Sequence, residues 1–170
     1  MALACGGIFM AIALLAYCSF DLRILLILGS FGSSSVILFA LPGSHFAQPQ
    51  SVIGGHVISS AIGLLVLTWC GATWWSLALA VALSAAVMMR SRTLHPPAGS
   101  NPIIVFLAAP GGLGWDFLLF PTLLGAMALV ACGVLYHRAS GMTYPLYWRA
   151  GRPAAKRRAA EKKEEERQAA

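Results

Sequence analysis

The chain has 170 residues, 58% of them hydrophobic and only 11% charged, with 12 Lys and Arg against 6 Asp and Glu. A water-soluble domain carries about 25% charged residues, so a soluble fold of this composition would leave a large apolar surface uncovered. The net charge of +6 comes mainly from residues after Tyr136 and accompanies no nucleic-acid-binding motif, so it speaks to membrane orientation and against a nucleic-acid partner.

Charge is missing from Met1–Phe20, Ile24–Met89, Thr93–Trp115 and Phe117–His137. Crossing a bilayer takes roughly 17–25 apolar helical residues, so these runs hold about six segments of an integral membrane protein. The first, from Leu3 to Phe20, ends at Asp21 and Arg23. It has neither a basic leader nor a small-x-small cleavage site and is expected to stay in the membrane. The second, Ile24–Leu41, contains GSFGSSS and stops at Pro42-Gly43. The third runs from Val52 to Trp69, and a turn at Gly71 leads into the fourth, Ser76–Met89. The fifth, Thr93–Ala109, contains HPPAGSNP and stops at Pro110-Gly111-Gly112; the sixth runs from Phe117 to Tyr136. Trp69, Trp74, Trp75 and Trp115 fall near segment ends, as an interfacial aromatic belt does.

Charge placement arbitrates the topology. If all six segments cross, Arg90, Arg92, Arg138 and the basic tail share one side, which the positive-inside rule makes cytoplasmic together with both termini. The alternative is four full spans with segments two and five re-entrant, which separates Arg90 and Arg92 from the tail. The halves also resemble each other. At an offset of 67 (106 − 39), Gly32-Ser33 falls on Gly99-Ser100 and Val36–Phe39 on Ile103–Phe106. The expected fold is therefore an all-α membrane bundle of two inverted three-segment repeats, with the second and fifth segments broken. Two units are expected: a transmembrane domain over residues 1–138 and a basic, charged cytoplasmic tail over 139–170.

The breaks are where a site is expected. Pro96 and Pro97 remove two backbone donors and push the preceding residues out of helical geometry. Asn101-Pro102 is a good helix start, with Ser100 or Asn101 able to cap. Only about eight residues then remain, roughly 12 Å of helix, so a half-helix should begin at membrane depth. Irregular backbone there must be buried in protein or line a polar cavity, and a half-helix N-terminus suits an anion. The matching break is expected at Gly29–Ser35. Neither break holds a carboxylate, which argues against a cation site. Candidate substrate-binding residues are His95, Pro96, Pro97, Gly99, Ser100, Asn101, Gly32, Ser33, Ser34, Phe31, Phe106, Gln48 and His56. His45 and His137 read as interfacial. The cysteines Cys5, Cys18, Cys70 and Cys132 show no CxxC or metal-ligand spacing and read as buried small hydrophobes, so no metal or cofactor is expected. Asp21 and Asp116 flank spans and no nucleophile–base pattern accompanies them, so no catalytic residue is expected.

LHPPAGSNP, preceded by SFGSSSVILFALP and AQPQSVIGGH, resembles the HPP family of integral membrane proteins, over roughly Leu22 to Val134. Ser33-Ser34-Ser35, Ala47-Gln48-Pro49 and Gly54-Gly55-His56 stand in that family's successive motifs, the first of which is usually described as SFGAS. The family is generally described with four transmembrane helices, against the six crossings expected here. The resemblance implies transport, with nitrite the substrate associated with plastid and cyanobacterial members. The expected function is thus a small-anion transporter or channel in a bacterial inner membrane, with membrane lipids, the anion and further copies of the chain as partners. The alternative is a non-transporting membrane scaffold.

Overall fold

A computed structural model describes residues 1–146; the charged tail expected at 139–170 lies largely outside the described residues. Six α-helices follow one another: α1 (Ala2–Phe20), α2 (Gly29–Ala40), α3 (Pro49–Cys70), α4 (Trp74–Arg90), α5 (Asn101–Ala108) and α6 (Leu124–Ala139). There is no strand among the described residues. A wide π turn, Leu118–Leu123, carries Pro121 and a non-helical Phe120 and leads directly into α6. Three helical stretches, Ala2–Phe20, Pro49–Cys70 and Leu118–Ala139, are long and apolar enough to cross a membrane.

The two halves repeat one plan: a long helix, an extended stretch, a half-helix and a second long helix. At roughly 1.5 Å per residue, α2 is about 18 Å long and α5 about 12 Å, both short of a bilayer core. The chain leaves α1 and α4 in the same way. Arg23 and Arg92 both adopt left-handed backbone, with φ of 59° and 57°. After α4, the Thr93 N–H closes onto the Met88 carbonyl at 2.9 Å, the wide bond of a left-handed helix end.

The first break lies earlier than the sequence suggests. Gly29–Ser35 is helical; the irregular stretch runs over residues 22–28. The serines do not open this helix because their hydroxyls turn back on it. Ser35 donates to the Gly32 carbonyl at 2.7 Å, and the Ser34 hydroxyl lies 3.0 Å from the Ser30 carbonyl. The extended stretch is held from outside instead, by Ser19, whose Oγ accepts the Leu26 and Ile27 N–H groups at 2.9 and 3.0 Å. In the second half, a 3₁₀ turn over Pro96–Ser100 runs straight into α5. The Asn101 N–H is therefore already bonded to the Ala98 carbonyl, and Pro96, Pro97 and Pro102 have no N–H to offer.

The helices sort into two bodies. α3 packs most extensively against α4 and α5, while α1 packs against α2 and α6. Each body is knit by glycines that let backbones approach closely. In one, a Cβ on Gly7 would collide with the Phe39 ring, one on Gly133 with Leu38, and one on Gly125 with the Leu26 carbonyl and Phe31. In the other, Gly63 faces the Pro102 Cα, and Gly54 and Gly55 face Thr93 and His95. Both bodies contribute to one apolar core, with Phe31, Leu38, Val105 and Leu129 fully buried.

Candidate functional site

Where the bodies meet, the apolar interior is interrupted by a cluster of fully buried polar side chains: Ser34 from α2, His56, Ser59 and Ser60 from α3, His95 before the 3₁₀ turn, Asn101 from α5 and Thr122 from the π turn. His56 lies seven residues into α3, roughly 11 Å from its end. Gly55 lets the His95 segment lie directly against α3, since a Cβ there would sit 2.8 Å from the His95 Cβ. The Gly-Gly-His and His-Pro-Pro elements are thus one packed unit: the glycine makes the room that brings His95 beside His56, with ring centroids 5.1 Å apart.

Hydrogen bonds run continuously through the cluster. Asn101 Nδ2 lies 3.0 Å from His56 Nδ1, 2.9 Å from Ser60 Oγ and 3.3 Å from the His56 carbonyl. Ser60 and Thr122 share a bond of 3.1 Å. His56 Nε2 lies 2.9 Å from Ser34 Oγ, and Ser34 Oγ lies 2.8 Å from His95 Nε2. At the far end, His95 Nδ1 lies 2.8 Å from the Phe46 carbonyl. Ser59 fixes the 3₁₀ turn by donating to the Ala98 carbonyl at 2.6 Å.

The tautomers follow from these partners. A carbonyl only accepts, so His95 Nδ1 carries a proton and its neutral Nε2 accepts. The carbonyl of His56 likewise orients the Asn101 amide with its NH₂ toward the His56 ring. An amide NH₂ only donates, so the His56 Nδ1 that faces it carries no proton, and the neutral ring carries its proton on Nε2, pointing at Ser34. Two buried polar atoms in this region have no partner among the described residues, Asn101 Oδ1 and Ser30 Oγ. All Asp, Glu, Lys and Arg residues among the described residues are exposed, so no fixed charge enters the cluster.

The remaining candidates are placed around this cluster or away from it. Phe31 is buried and meets His56 edge-on, with centroids 4.9 Å apart. Pro97 is buried beneath the turn, Pro96 is exposed, and Gly99 and Ser100 are half-buried beside it. Gly32 and Ser33 lie on the exposed face of α2. Phe106 packs in the apolar core. Gln48 is buried elsewhere, as a clasp: its amide NH₂ donates to the Pro42 and Ser44 carbonyls at 3.0 and 2.9 Å, and its Oε1 accepts the Leu146 N–H at 3.0 Å.

Ser59, Ser60 and Thr122 are members that the sequence reading missed; the serines follow His56 by three and four residues, on the same helical face. His137 is not interfacial. It is fully buried, bonds to the Leu38 carbonyl at 3.0 Å and packs against Phe39 and Tyr144. Among the described residues no group of His, Cys, Asp and Glu could hold a metal. The cysteines do not share one environment: Cys132 is buried, Cys18 and Cys70 are half-buried, and Cys5 is exposed.

An all-helical bundle with three membrane-length apolar helices, and with its polar groups gathered inside, is an integral membrane protein. Residues 1–145 match the family model described as HPP, transmembrane region, and the chain belongs to that family. It is similar to two transmembrane proteins of Dictyostelium discoideum. One is 34% identical over 134 residues, covering 75% of this chain and 47% of the relative. The other is 29% identical over 146 residues, covering 82% and 47%. The chain spans about half the length of these curated relatives. No solved structure matches it.

Proposed function

We propose that the protein is a transporter or channel for a small anion, with nitrite the substrate implied by the family resemblance, and that the His95–Asn101 turn and the Ser34 face of α2 form its binding region. The observation that supports this reading most is the meeting of two half-helices, one from each repeat, on a buried polar cluster that contains no carboxylate. A polar site of this kind inside an apolar bundle fits a pathway better than a lipid-facing role. In this reading no covalent chemistry takes place, residues 1–138 are the transporting unit, and 139–170 form a cytoplasmic tail. Both termini face the cytoplasm of a bacterial inner membrane, and further copies of the chain join it as a homo-oligomer.

The test is nitrite uptake into proteoliposomes at matched protein incorporation, comparing wild type with His95→Ala and Asn101→Ala. Uptake above that of empty liposomes, lost in both variants, supports the pathway. Absence of wild-type uptake of nitrite, nitrate, formate and chloride sinks it. One observation favours a second reading, a non-transporting scaffold: most cluster atoms are bonded to one another, as a packing clasp requires. That reading predicts lower thermal stability in both variants and no wild-type flux.

A further inference from the structure

Ser34 Oγ has three partners within 3.0 Å: the Ser30 carbonyl, His56 Nε2 and His95 Nε2. Three hydrogen bonds need three hydrogens, and the neutral cluster supplies two. One is the Ser34 hydroxyl hydrogen. The other is on His56 Nε2, because Asn101 occupies the far side of that ring. His95 contributes none toward Ser34, because its proton faces the Phe46 carbonyl.

One added proton completes the set. Placed on His95 Nε2, it donates to Ser34 Oγ; the Ser34 hydroxyl, for which the Ser30 carbonyl and His95 Nε2 compete in the neutral cluster, is left to the Ser30 carbonyl alone, and His56 Nε2–H continues to donate. Ser34 Oγ now accepts two bonds and donates one, its usual full complement. No bond outside the cluster changes, and both nitrogens of the His95 imidazolium are bonded. We propose that Ser34, His56 and His95 form a binding site for a single proton, held on His95, and that this proton travels with the transported anion.

The coupling follows from the absence of fixed countercharge. An imidazolium buried without a partner is strongly disfavoured. The groups that face the pair are Ser34 and Phe31 from α2, with Ser30 bonded to Ser34, Asn101 from α5 and the Phe46 carbonyl from the turn before α3; Met88 of α4 lies beside Gly55, and the neighbouring His45 is exposed. None is acidic, and Arg90 and Arg92 lie exposed at the end of α4 and just beyond it. The negative partner must therefore arrive from outside, and a small anion supplies it. Ser30 lies one helical turn from Ser34, with a buried hydroxyl that lacks a protein acceptor and can donate to that anion. Proton and anion then bind together or not at all.

This inference rests on the transport reading, and its test separates the two. Initial nitrite uptake is measured in proteoliposomes, with leak into protein-free vesicles subtracted, under a pH gradient or under a potassium-diffusion potential imposed separately. One-to-one coupling predicts uptake that rises with an alkaline interior and ignores the potential. It also predicts that Ser34→Ala and His95→Gln lose the pH-driven component and that Ser34→Thr, which keeps the hydroxyl, retains it. Uptake that follows the potential and ignores the pH gradient overturns the proton site and leaves the transport reading standing.

If wild type carries no anion, transport fails, and histidine 15N NMR in nanodiscs with nitrite still decides the proton site. Protonation of His95 on both nitrogens while His56 keeps a single proton, at higher pH with nitrite than without, supports it. Protonation of His56 first, or no effect of nitrite, overturns it.

Discussion

Ser34 and Asn101 hold opposite nitrogens of the same imidazole, Ser34 at His56 Nε2 and Asn101 at His56 Nδ1. They are 67 residues apart (101 − 34), the offset that aligns the two halves of the sequence. Equivalent positions on the two half-helices thus converge on one ring of α3. Removing that ring takes one bond from each partner and opens a cavity between them, while Ser34 keeps its contacts to Ser30 and His95 and Asn101 keeps those to Ser60 and the residue-56 carbonyl. His56→Ala should cost about 2–5 kcal/mol by combining a cavity with the loss of two hydrogen bonds, read as a lower unfolding temperature in detergent.

The glycines beside the cluster make unequal predictions. A Cβ at Gly55 would meet the His95 Cβ at 2.8 Å and the Thr93 carbonyl at 3.0 Å, whereas one at Gly99 meets nothing within 4 Å. Gly55→Ala should therefore destabilise by about 1–3 kcal/mol. Gly99→Ala should be near neutral. Equal unfolding temperatures for the two variants would contradict the packing of the His95 segment on α3.

Ser59 tests the 3₁₀ turn. Its hydroxyl is the side-chain donor to the Ala98 carbonyl, at 2.6 Å in a fully buried position. Ser59→Ala should cost about 0.5–1.5 kcal/mol, the net worth of one hydrogen bond, because the Ala98 carbonyl keeps the Asn101 N–H. Hydrogen exchange should then rise across residues 96–100 before it rises in α3. Uniform exchange across both would show that the turn does not depend on this bond.

The segment after α6 is folded back rather than trailing into the tail. Tyr144 donates to the Ala47 carbonyl at 2.7 Å, and burial pushes its hydroxyl above the usual tyrosine range, so it remains a donor at neutral pH. Tyr144→Phe should loosen residues 140–146, measured as faster local hydrogen exchange, with α3 unchanged. Unaltered exchange there would mean that the Gln48 bond to Leu146 holds the segment unaided.

Much of this was legible in the sequence because bilayer physics is coarse. Charge-free runs bounded by Arg, Asp and Pro-Gly located α1, α3, α4 and the stretch formed by the π turn and α6 to within a few residues, and Pro96-Pro97 located the second break. The first break was displaced because GSFGSSS reads as helix-breaking from residue types alone. Serine can instead bond to its own helix, and the irregular stretch over residues 22–28 is apolar apart from Arg23 and carries no Gly or Pro. His137 was misread for a related reason. Its place at the end of an apolar run suggests an interface, whereas the chain beyond it returns through Tyr144 to cover it. Ser59, Ser60 and Thr122 give little signal singly; only the fold brings them to Asn101 and the 3₁₀ turn.

The close glycine approaches between helices lie within one body or the other: Gly7, Gly125 and Gly133 in the α1–α2–α6 body, and Gly54, Gly55 and Gly63 in the α3–α4–α5 body. The named polar bonds between those helices are of another kind, Ser34 to the two histidines and Ser60 to Thr122. Interlocked backbones resist sliding because their contacts are steric, while hydrogen bonds can be exchanged one at a time. The molecule therefore has a seam. Any displacement of one body against the other would have to break the bonds at Ser34, where the count of protons sets how many there are.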